Sequence, residues 1–463
     1  LSAADETKNN YLMCIVYLSD RYGISTADIT TGDYLVTEVD SERKLLDEIN
    51  KFAPAEIVCN EAFSMSGVDL EDLKFRLGIA VYPLESWYFD DELCRNTLME
   101  HFQVSNLAGL GLHDLSCGTI AAGALLKYLY ETQKTTLSHL THLQPYTIGK
   151  FMIIDSFSRR NLELTETLRE KQKRGSLLWV LDKTKTAMGA RTLRGMVEQP
   201  LIDRAEIEKR HEAIAELNDH VITREELREY LNPIYDLERL IGRISYQTAN
   251  PRDLIAFRTS LEMLPHIHTL LGEFHSPLLC ELREDLDVLS DIQSMIAAAI
   301  QDDPPISIRD GYHEDVDRYR KAKTEGKSWL AKLEAEEREK TGIKNLKIKY
   351  NKVFGYYLEV TNSYKDMVPD TWMRKQTLTN AERYITPELK ELEDTILGAE
   401  DKVTSLEYGL FCELREKIAS QVLRIQRTAK AVAMVDVFAS LAYVAERNHY
   451  VRPVMNEKGL IEI

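Results

Sequence analysis

The sequence lacks three features, and each absence excludes a class of protein. No apolar run approaches about 18 residues, so we expect no membrane-spanning helix. The six cysteines are dispersed without a C-x-x-C pair, which favours reduced, buried thiols over a disulfide framework. The amino terminus has no start methionine and no basic or apolar region of a signal peptide, and we interpret it as a cut in a longer chain.

Catalytic and cofactor-binding motifs are also missing. The G-K-S at residues 326–328 resembles the end of a P-loop, but Lys321 stands where the motif needs its first glycine. No complete P-loop and no G-x-S-x-G elbow occurs in the chain. Two close histidine pairs lack cysteines or carboxylates at ligand spacing. These pairs are His139 with His142 and His266 with His268. We therefore expect no catalytic residue, metal site or cofactor in this chain, and we do not expect an enzyme.

What the sequence does contain is an acidic chain with one basic segment. The 463 residues carry a net charge of −17, and their length suggests about three domains. Within residues 343–390, four lysines lie close together, and no acid occurs between Ile343 and Leu358. They are Lys344, Lys347, Lys349 and Lys352. Local positive charge on an acidic protein predicts contact with a polyanion. The alternative is a solvated strand whose lysines protect a sheet edge.

The first 120 residues have the pattern of an α/β domain. An apolar strand over residues 11–18 is predicted to turn at residues 21–23 into a second strand, and a turn at 31–33 leads to a third. An amphipathic helix and a short buried strand follow. Three antiparallel strands, a helix and a parallel strand are the order of an RNase-H-like domain.

From about residue 121 the pattern is helical, and residues 156–168 are read as one of these helices. A break at residues 302–305 precedes a charged tract, 312–341, that predicts a helix of about 45 Å. Short strands then follow around a turn at residues 354–355. By strand parity, Lys347 and Lys349 share one face of the first strand, while Lys344 and Lys352 share the other.

A second long helix is predicted after these strands. It begins with Thr386 as N-cap and Pro387 at the first helical position. The helical pattern persists to about Glu446, with minor breaks near Gly398 and Gly409. The predicted topology is a helix outward, a small β-tip, and a helix back.

Six segments resemble the MutS family of bacterial DNA mismatch-repair proteins, in collinear order over nearly the whole chain. They are residues 158–168, 180–201 (VLDKTKTAMGARTLRGMVEQPL), 236–254, 355–364 (GYYLEVTNSY), 378–393 and 434–453. The resemblance implies a multidomain fold with an α/β RNase-H-like connector domain, a mainly α core with long lever helices and an inserted small β-rich clamp. The implied ranges are 1–120 for the connector, 121–337 for the core and outgoing lever, 338–399 for the clamp, and 400–463 for the returning lever and core.

The resemblance also implies a role in post-replicative mismatch repair. In this family the clamps of a homodimer close over duplex DNA and touch its phosphates, so we carry over the matching polar positions. They are Lys347, Lys349, Asn351, Arg374, Lys375, Asn380, Arg383 and Lys390. We add Lys344 and Lys352 from charge alone.

Intact members of the family are expected to use ATP and Mg²⁺, to dock a MutL-type partner, and to act in the cytoplasm at the nucleoid. This chain resembles the middle of such a protein, because the mismatch-reading domain with which family members begin and the ATPase domain that carries the P-loop are both missing from it.

Two other hypotheses remain. An RNase-H-like domain could belong to a metal-dependent nuclease or resolvase, although its first strand carries no acid. The long helices could form a purely structural arm with a β-tip for protein contacts, which long uninterrupted heptads would support.

Overall fold

The computed structural model describes residues 5–134, 136–147, 150–302 and 308–463. The chain divides into two compact units. Unit 1 comprises Leu1–Ser294 and Arg415–Ile463, and unit 2 comprises Met295–Leu414.

Unit 1 begins with a mixed six-stranded sheet. Its strands are β1 (Leu12–Leu18), β2 (Arg21–Asp28), β3 (Asp33–Val39), β4 (Glu56–Cys59), β5 (Ala80–Pro83) and β6 (Gln144–Pro145). They lie in the order β5-β4-β1-β2-β3-β6, with β1, β2 and β3 antiparallel and β4 parallel to β1. This is the predicted RNase-H-like order. The accompanying helices are α1 (Glu42–Phe52), α2 (Glu61–Ser64), α3 (Leu70–Leu77), α4 (Asp91–Phe102) and α5 (Ser116–Gln133).

The first hairpin turn was placed wrongly by the sequence. Leu18 pairs with Arg21, so the two-residue turn is Ser19 and Asp20, and both have a positive φ. Two positive φ angles are typical of the turn that matches the twist of a hairpin. Gly23, which suggested a turn, lies inside β2. The position requires a glycine because a Cβ there would come within 2.3 Å of a backbone oxygen of α5.

Helix α5 belongs to the sheet rather than to the helical core. It packs on β1, β2 and β3, and its Ala121, Leu125 and Leu129 are buried in the same hydrophobic cluster as strand side chains. The domain end expected at residue 120 therefore falls inside α5. The strand pairing of β6 carries this layer of the fold on to residue 145.

The cysteines contribute to this sheet domain as buried side chains. Cys14, Cys59, Cys94 and Cys117 are free thiols, and all four are buried. Burial raises the pKa of both the Cys59 and the Cys94 thiols to about 12. These thiols therefore act as small apolar side chains.

The rest of unit 1 is helical. Its helices are α6 (Ser156–Asn161), α7 (Leu177–Leu181), α8 (Ala187–Glu198), α9 (Arg204–Asp219), α10 (Val221–Leu231), α11 (Leu237–Ser245), α12 (Pro251–Leu261), α13 (Leu264–Leu271), α14 (Pro277–Asp285) and α18 (Val422–Arg447). Helix α15 (Ser290–Ala299) begins in unit 1 and ends in unit 2. The helix expected over residues 156–168 ends at Asn161. Glu163 has a positive φ, and its carbonyl accepts the N–H of Leu177, so the chain turns there.

Helix α18 is the centre of this helical part. It contacts α8, α9, α10, α11 and α14, and its Val432, Phe438 and Ala439 are fully buried. By length and composition alone it could cross a membrane, although the sequence suggested no such run. However, 72% of the most apolar 18-residue stretch of this helix is buried inside the protein, as in the core helix of a globular fold.

Unit 2 consists of two long helices and a small antiparallel sheet. The helices are α16 (Glu314–Thr341) and α17 (Pro387–Ala419), and the strands are β7 (Lys347–Asn351), β8 (Gly355–Thr361), β9 (Met373–Thr377) and β10 (Ala381–Ile385). The sheet order is β7-β8-β10-β9. The two long helices and the strands between them confirm the predicted element order.

Helix α17 differs from the sequence prediction in one detail. Helix α17 runs unbroken through Gly398 and Gly409, and the helical pattern is interrupted only after Ala419. A glycine inside a helix costs only about 1 kcal/mol, which a helix of 33 residues can accommodate. Most of the break expected at residues 302–305 lies outside the described residues.

Candidate nucleic-acid interface

Helices α16 and α17 lie side by side and antiparallel within unit 2. The ammonium group of Lys323 is 3.5 Å from the carboxylate of Glu400, and one turn further along α16 the buried Gly326 faces Ile396. A Cβ built on Gly326 would lie 3.0 Å from the Ile396 side chain. The missing side chain thus allows the two helices to approach closely.

Helix α16 covers the exposed edge of the small sheet. The carboxylate of Glu334 accepts the N–H of Ile348 at 3.2 Å, and Nε of Arg338 donates to the carbonyl of Leu346 at 2.8 Å. One edge group of β7 and the carbonyl just before the strand thus bond to helix side chains rather than to another strand.

Helix α17 holds the turn between β7 and β8. The buried carboxylate of Glu393 accepts the N–H of Tyr356 and lies 2.7 Å from the ammonium group of Lys390. Lys390 also donates to the carbonyl of Phe354 at 3.1 Å. Gly355 has φ of +82°, and a Cβ there would collide with Glu393. Lys390, which the resemblance assigned to DNA, is thus engaged in fixing the hairpin.

Three cations share the face of the sheet that points away from its core. In the strand register, Glu359 of β8 lies between Lys347 of β7 and Arg383 of β10, and Lys349 follows Lys347 on the same face. We call Lys347, Lys349 and Arg383 the cationic face. The guanidinium of Arg383 lies 4.5 Å from the centre of the Tyr357 ring, a cation–π contact that keeps it close to the sheet.

Glu359 is the acid within this face. Its Oε2 is 2.7 Å from the ammonium group of Lys349, and its Oε1 is 3.7 Å from Nε of Arg383. The hydrogen bond from Lys349 to Glu359 raises the pKa of Lys349. Lys349 therefore stays charged over the physiological pH range.

The opposite face of the sheet packs into a hydrophobic core. Leu358, Val360 and Tyr384 are buried there, together with residues of α16 and α17. Arg374 is in register with Tyr384 and lies 3.5 Å from Glu382, so it is not on the cationic face. Burial, together with the bond to Glu382, raises the pKa of Tyr384 to about 12.

The remaining predicted lysines surround the sheet. Lys344 lies in the loop before β7, Lys352 in the turn after it, and Lys375 in β9 beside an irregularity in strand register. All three are exposed, and no ion pair involves them within the described part of the chain. Since neither Lys344 nor Lys352 lies within β7, strand parity does not place them together.

The two predicted asparagines serve turns. The side-chain oxygen of Asn351 accepts the N–H of Val353 at 2.7 Å, which shapes the hairpin turn. Asn380 lies in the exposed loop between β9 and β10, and its carbonyl accepts the N–H of Asn362 at 3.0 Å. Asn351 therefore has a structural role whether or not it contacts a ligand.

Sequence reasoning missed the acids of this unit. Glu334, Glu359 and Glu393 determine how the strands attach to the helices and how the cationic face is charged. Aligning β7 with β8 around the turn would have placed Glu359 opposite Lys347. No local pattern indicates Glu334 or Glu393, because each lies on a helix and bonds to a strand 14 or 37 residues away.

The acids that follow the first strand and end the second, Asp20 and Asp28, do not form a shared metal site in the sheet domain. Within residues 5–134, 136–147, 150–302 and 308–463, no group of three or more His, Cys, Asp or Glu could hold a metal ion. Asp20 is in the exposed β1–β2 turn. Asp28 is buried, and its carboxylate accepts hydrogen bonds from Asn9 and Thr30.

Unit 1 contains a sheet domain and a helical core, and unit 2 contains two long helices joined by a small sheet. This is the multidomain fold that the sequence resemblance implies. Two family models match the chain, MutS domain II over residues 10–144 and MutS domain III over residues 158–442. The chain therefore belongs to the MutS family.

Curated relatives agree with this assignment. A protein named DNA mismatch repair protein MutS from Lachnoclostridium phytofermentans is 65% identical over 99% of this chain and 50% of its own length. Proteins of the same name from Ruminiclostridium cellulolyticum and Acetivibrio thermocellus are 47% and 46% identical, over 54% and 53% of their lengths. The chain spans about half the length of the curated relatives it matches.

Proposed function

We propose that the cationic face binds the phosphate backbone of duplex DNA without reading its sequence. The observation that carries this proposal is the placement of Lys347, Lys349 and Arg383 on the solvent side of a sheet whose other side is packed. Local charge of this kind attracts nucleic acid even on a chain with a net charge of −17.

The chemistry of this face favours phosphates over bases. Ammonium and guanidinium groups donate to phosphate oxygens, and such contacts position a protein on DNA without sequence information. Lys344, Lys352 and Lys375 extend the positive charge around the sheet in this proposal. Arg374 and Asn380 contribute at most from its margins, and Lys390 acts by holding the hairpin.

In the longer protein we propose a role in mismatch repair, as the names of the relatives indicate. The paired helices α16 and α17 would carry movement between the DNA-binding sheet and an ATPase domain. The rest of the proposal follows the family: a homodimer, a MutL-type partner, mismatched DNA as the target, and action in the cytoplasm at the nucleoid.

In this proposal ATP and Mg²⁺ bind to another part of the longer protein, because the G-K-S at residues 326–328 does not form a nucleotide-binding loop. Gly326 is buried in the middle of α16, where a Cβ would lie 3.0 Å from Ile396. A P-loop instead needs backbone N–H groups free to surround phosphates.

The double substitution Lys347→Ala with Lys349→Ala tests the proposed DNA contact. We expect weaker duplex binding and a slope of log affinity against log salt that is shallower by roughly one per lost phosphate contact. Fluorescence anisotropy of a labelled duplex over a salt series measures both quantities. The matched control is Lys327→Ala with Lys332→Ala, which removes the same charge from exposed positions of α16. An unchanged slope, or an equal loss in the control, would contradict the proposal.

A further inference from the structure

We infer that Glu359 occupies a phosphate-binding position within the cationic face and thereby limits the strength with which this face holds DNA. The inference rests on the proposed function, since it assigns a residue that sets the affinity of the same site.

The geometry around Glu359 is that of a bound anion. One carboxylate oxygen lies 2.7 Å from the ammonium group of Lys349, and the other lies 3.7 Å from Nε of Arg383. Lys347 is directly opposite Glu359 in the neighbouring strand. A phosphate group is recognised by the same ammonium and guanidinium donors that here surround a carboxylate.

Arg383 shows that this arrangement leaves binding capacity unused. Its Nη1 donates to Gln376 at 2.8 Å, but its Nε is buried and has no hydrogen-bond partner within the described part of the chain. The side chain is nevertheless fixed, because its guanidinium rests on Tyr357. This Nε lies beside Glu359, so an incoming anion can bond to it only where the Glu359 carboxylate moves aside.

An incoming phosphate must therefore compete with Glu359. If the carboxylate stays, it repels the phosphate and neutralises part of the face. If it is displaced, the ion pair with Lys349 is lost. In either case the net gain from DNA contact is smaller than three unpaired cations would provide, so binding stays weak and reversible.

The isosteric substitution Glu359→Gln tests this inference. We expect the 463-residue chain to bind a short labelled duplex roughly three- to tenfold more tightly at low salt, with a salt slope steeper by about one. The control Glu339→Gln removes one charge from an exposed acid of α16 that has no ion pair within the described residues. A gain no larger than that of the control would overturn the inference.

A double-mutant cycle shows whether the effect passes through the cationic face. In the Lys349→Ala background, Glu359→Gln should give a clearly smaller gain, because one of the two cations it releases is gone. Equal gains in both backgrounds would overturn the inference. If Glu359→Gln lowers the urea midpoint of unfolding, Glu359→Thr replaces it, since threonine suits a strand.

The same data separate this inference from the proposed function. If Lys347→Ala with Lys349→Ala weakens binding while Glu359→Gln does nothing, only the role of Glu359 is rejected. If neither set of variants alters binding, the proposed DNA contact is rejected together with it.

Discussion

At the scale of single residues, buried carboxylates organise unit 1. Asp436 on α18 is 1% exposed and accepts hydrogen bonds from the N–H groups of Lys185 and Thr186 and from the hydroxyl of Thr186. Thr186 in turn caps the start of α8. No local sequence pattern indicates this anchor, because Asp436 and Thr186 lie 250 positions apart.

Glu238 is a second buried acid, and its protonation should couple stability to pH. It is 8% exposed, its nearest cation is Arg191 at 3.9 Å, and Arg191 is already paired with Asp236. Burial, reinforced by the charge of Asp33, raises the pKa of Glu238 to about 8. A raised pKa means that the folded state binds the proton more tightly than the unfolded chain does.

We predict that Glu238→Gln stabilises the protein increasingly as pH rises. In the parent, the stability linked to this proton is fully present below the ordinary pKa of a glutamate and is lost as pH rises towards about 8. Because glutamine carries no proton to release, the variant does not lose this stability, and the difference in free energy of unfolding should grow by about 4 kcal/mol between roughly pH 5 and pH 9. Urea unfolding of both proteins over this range measures the difference. A difference that does not change with pH would show that Glu238 does not titrate in this window.

At the scale of elements, the sequence predicted the helices and strands better than the contacts between them. The N-cap at Thr386 is confirmed, since its hydroxyl accepts the N–H of Leu389 at 3.1 Å. Glycines were the main source of error. Gly23 suggested a turn and Gly398 a helix break, yet the first permits close packing of α5 and the second lies within an unbroken helix. A glycine needed for close approach cannot be told from a turn glycine without knowing its neighbour.

Gly326 provides a test at this scale. We predict that Gly326→Leu destabilises unit 2 by about 1–3 kcal/mol, because the new side chain must displace Ile396 or separate α16 from α17. Thermal unfolding followed by circular dichroism measures the change. Gly409→Leu on α17 is the control, since a Cβ there meets nothing within 4 Å. The control should be neutral or stabilising by helix propensity. Equal effects of the two substitutions would contradict close packing at Gly326.

At the scale of the whole molecule, the net charge opposes DNA binding while the local charge of the small sheet favours it, and the local charge has the larger effect. A net charge of −17 opposes binding to DNA, yet four lysines fall within the nine residues from Lys344 to Lys352. Screening at physiological salt limits the repulsion from distant acids to roughly 8 Å, so the nearest charges dominate. The sequence therefore predicted which element carries the basic surface. It could not show that Arg374 pairs with Tyr384 and so lies off the cationic face, or that Glu359 lies among the cations, because both depend on strand register.

A final prediction concerns how this chain discriminates between duplexes. The cationic face offers long, charged side chains that contact phosphates, and matched and mismatched duplexes present the same phosphates. We therefore expect a Kd of roughly 10⁻⁴–10⁻⁶ M near physiological salt for both a matched and a G·T duplex. Competition between the two duplexes for this chain, repeated at two salt concentrations, measures the ratio of affinities. A clear preference for the G·T duplex that persists at higher salt would mean that residues other than the cationic face read the bases, and the phosphate-only model of this surface would have to be abandoned.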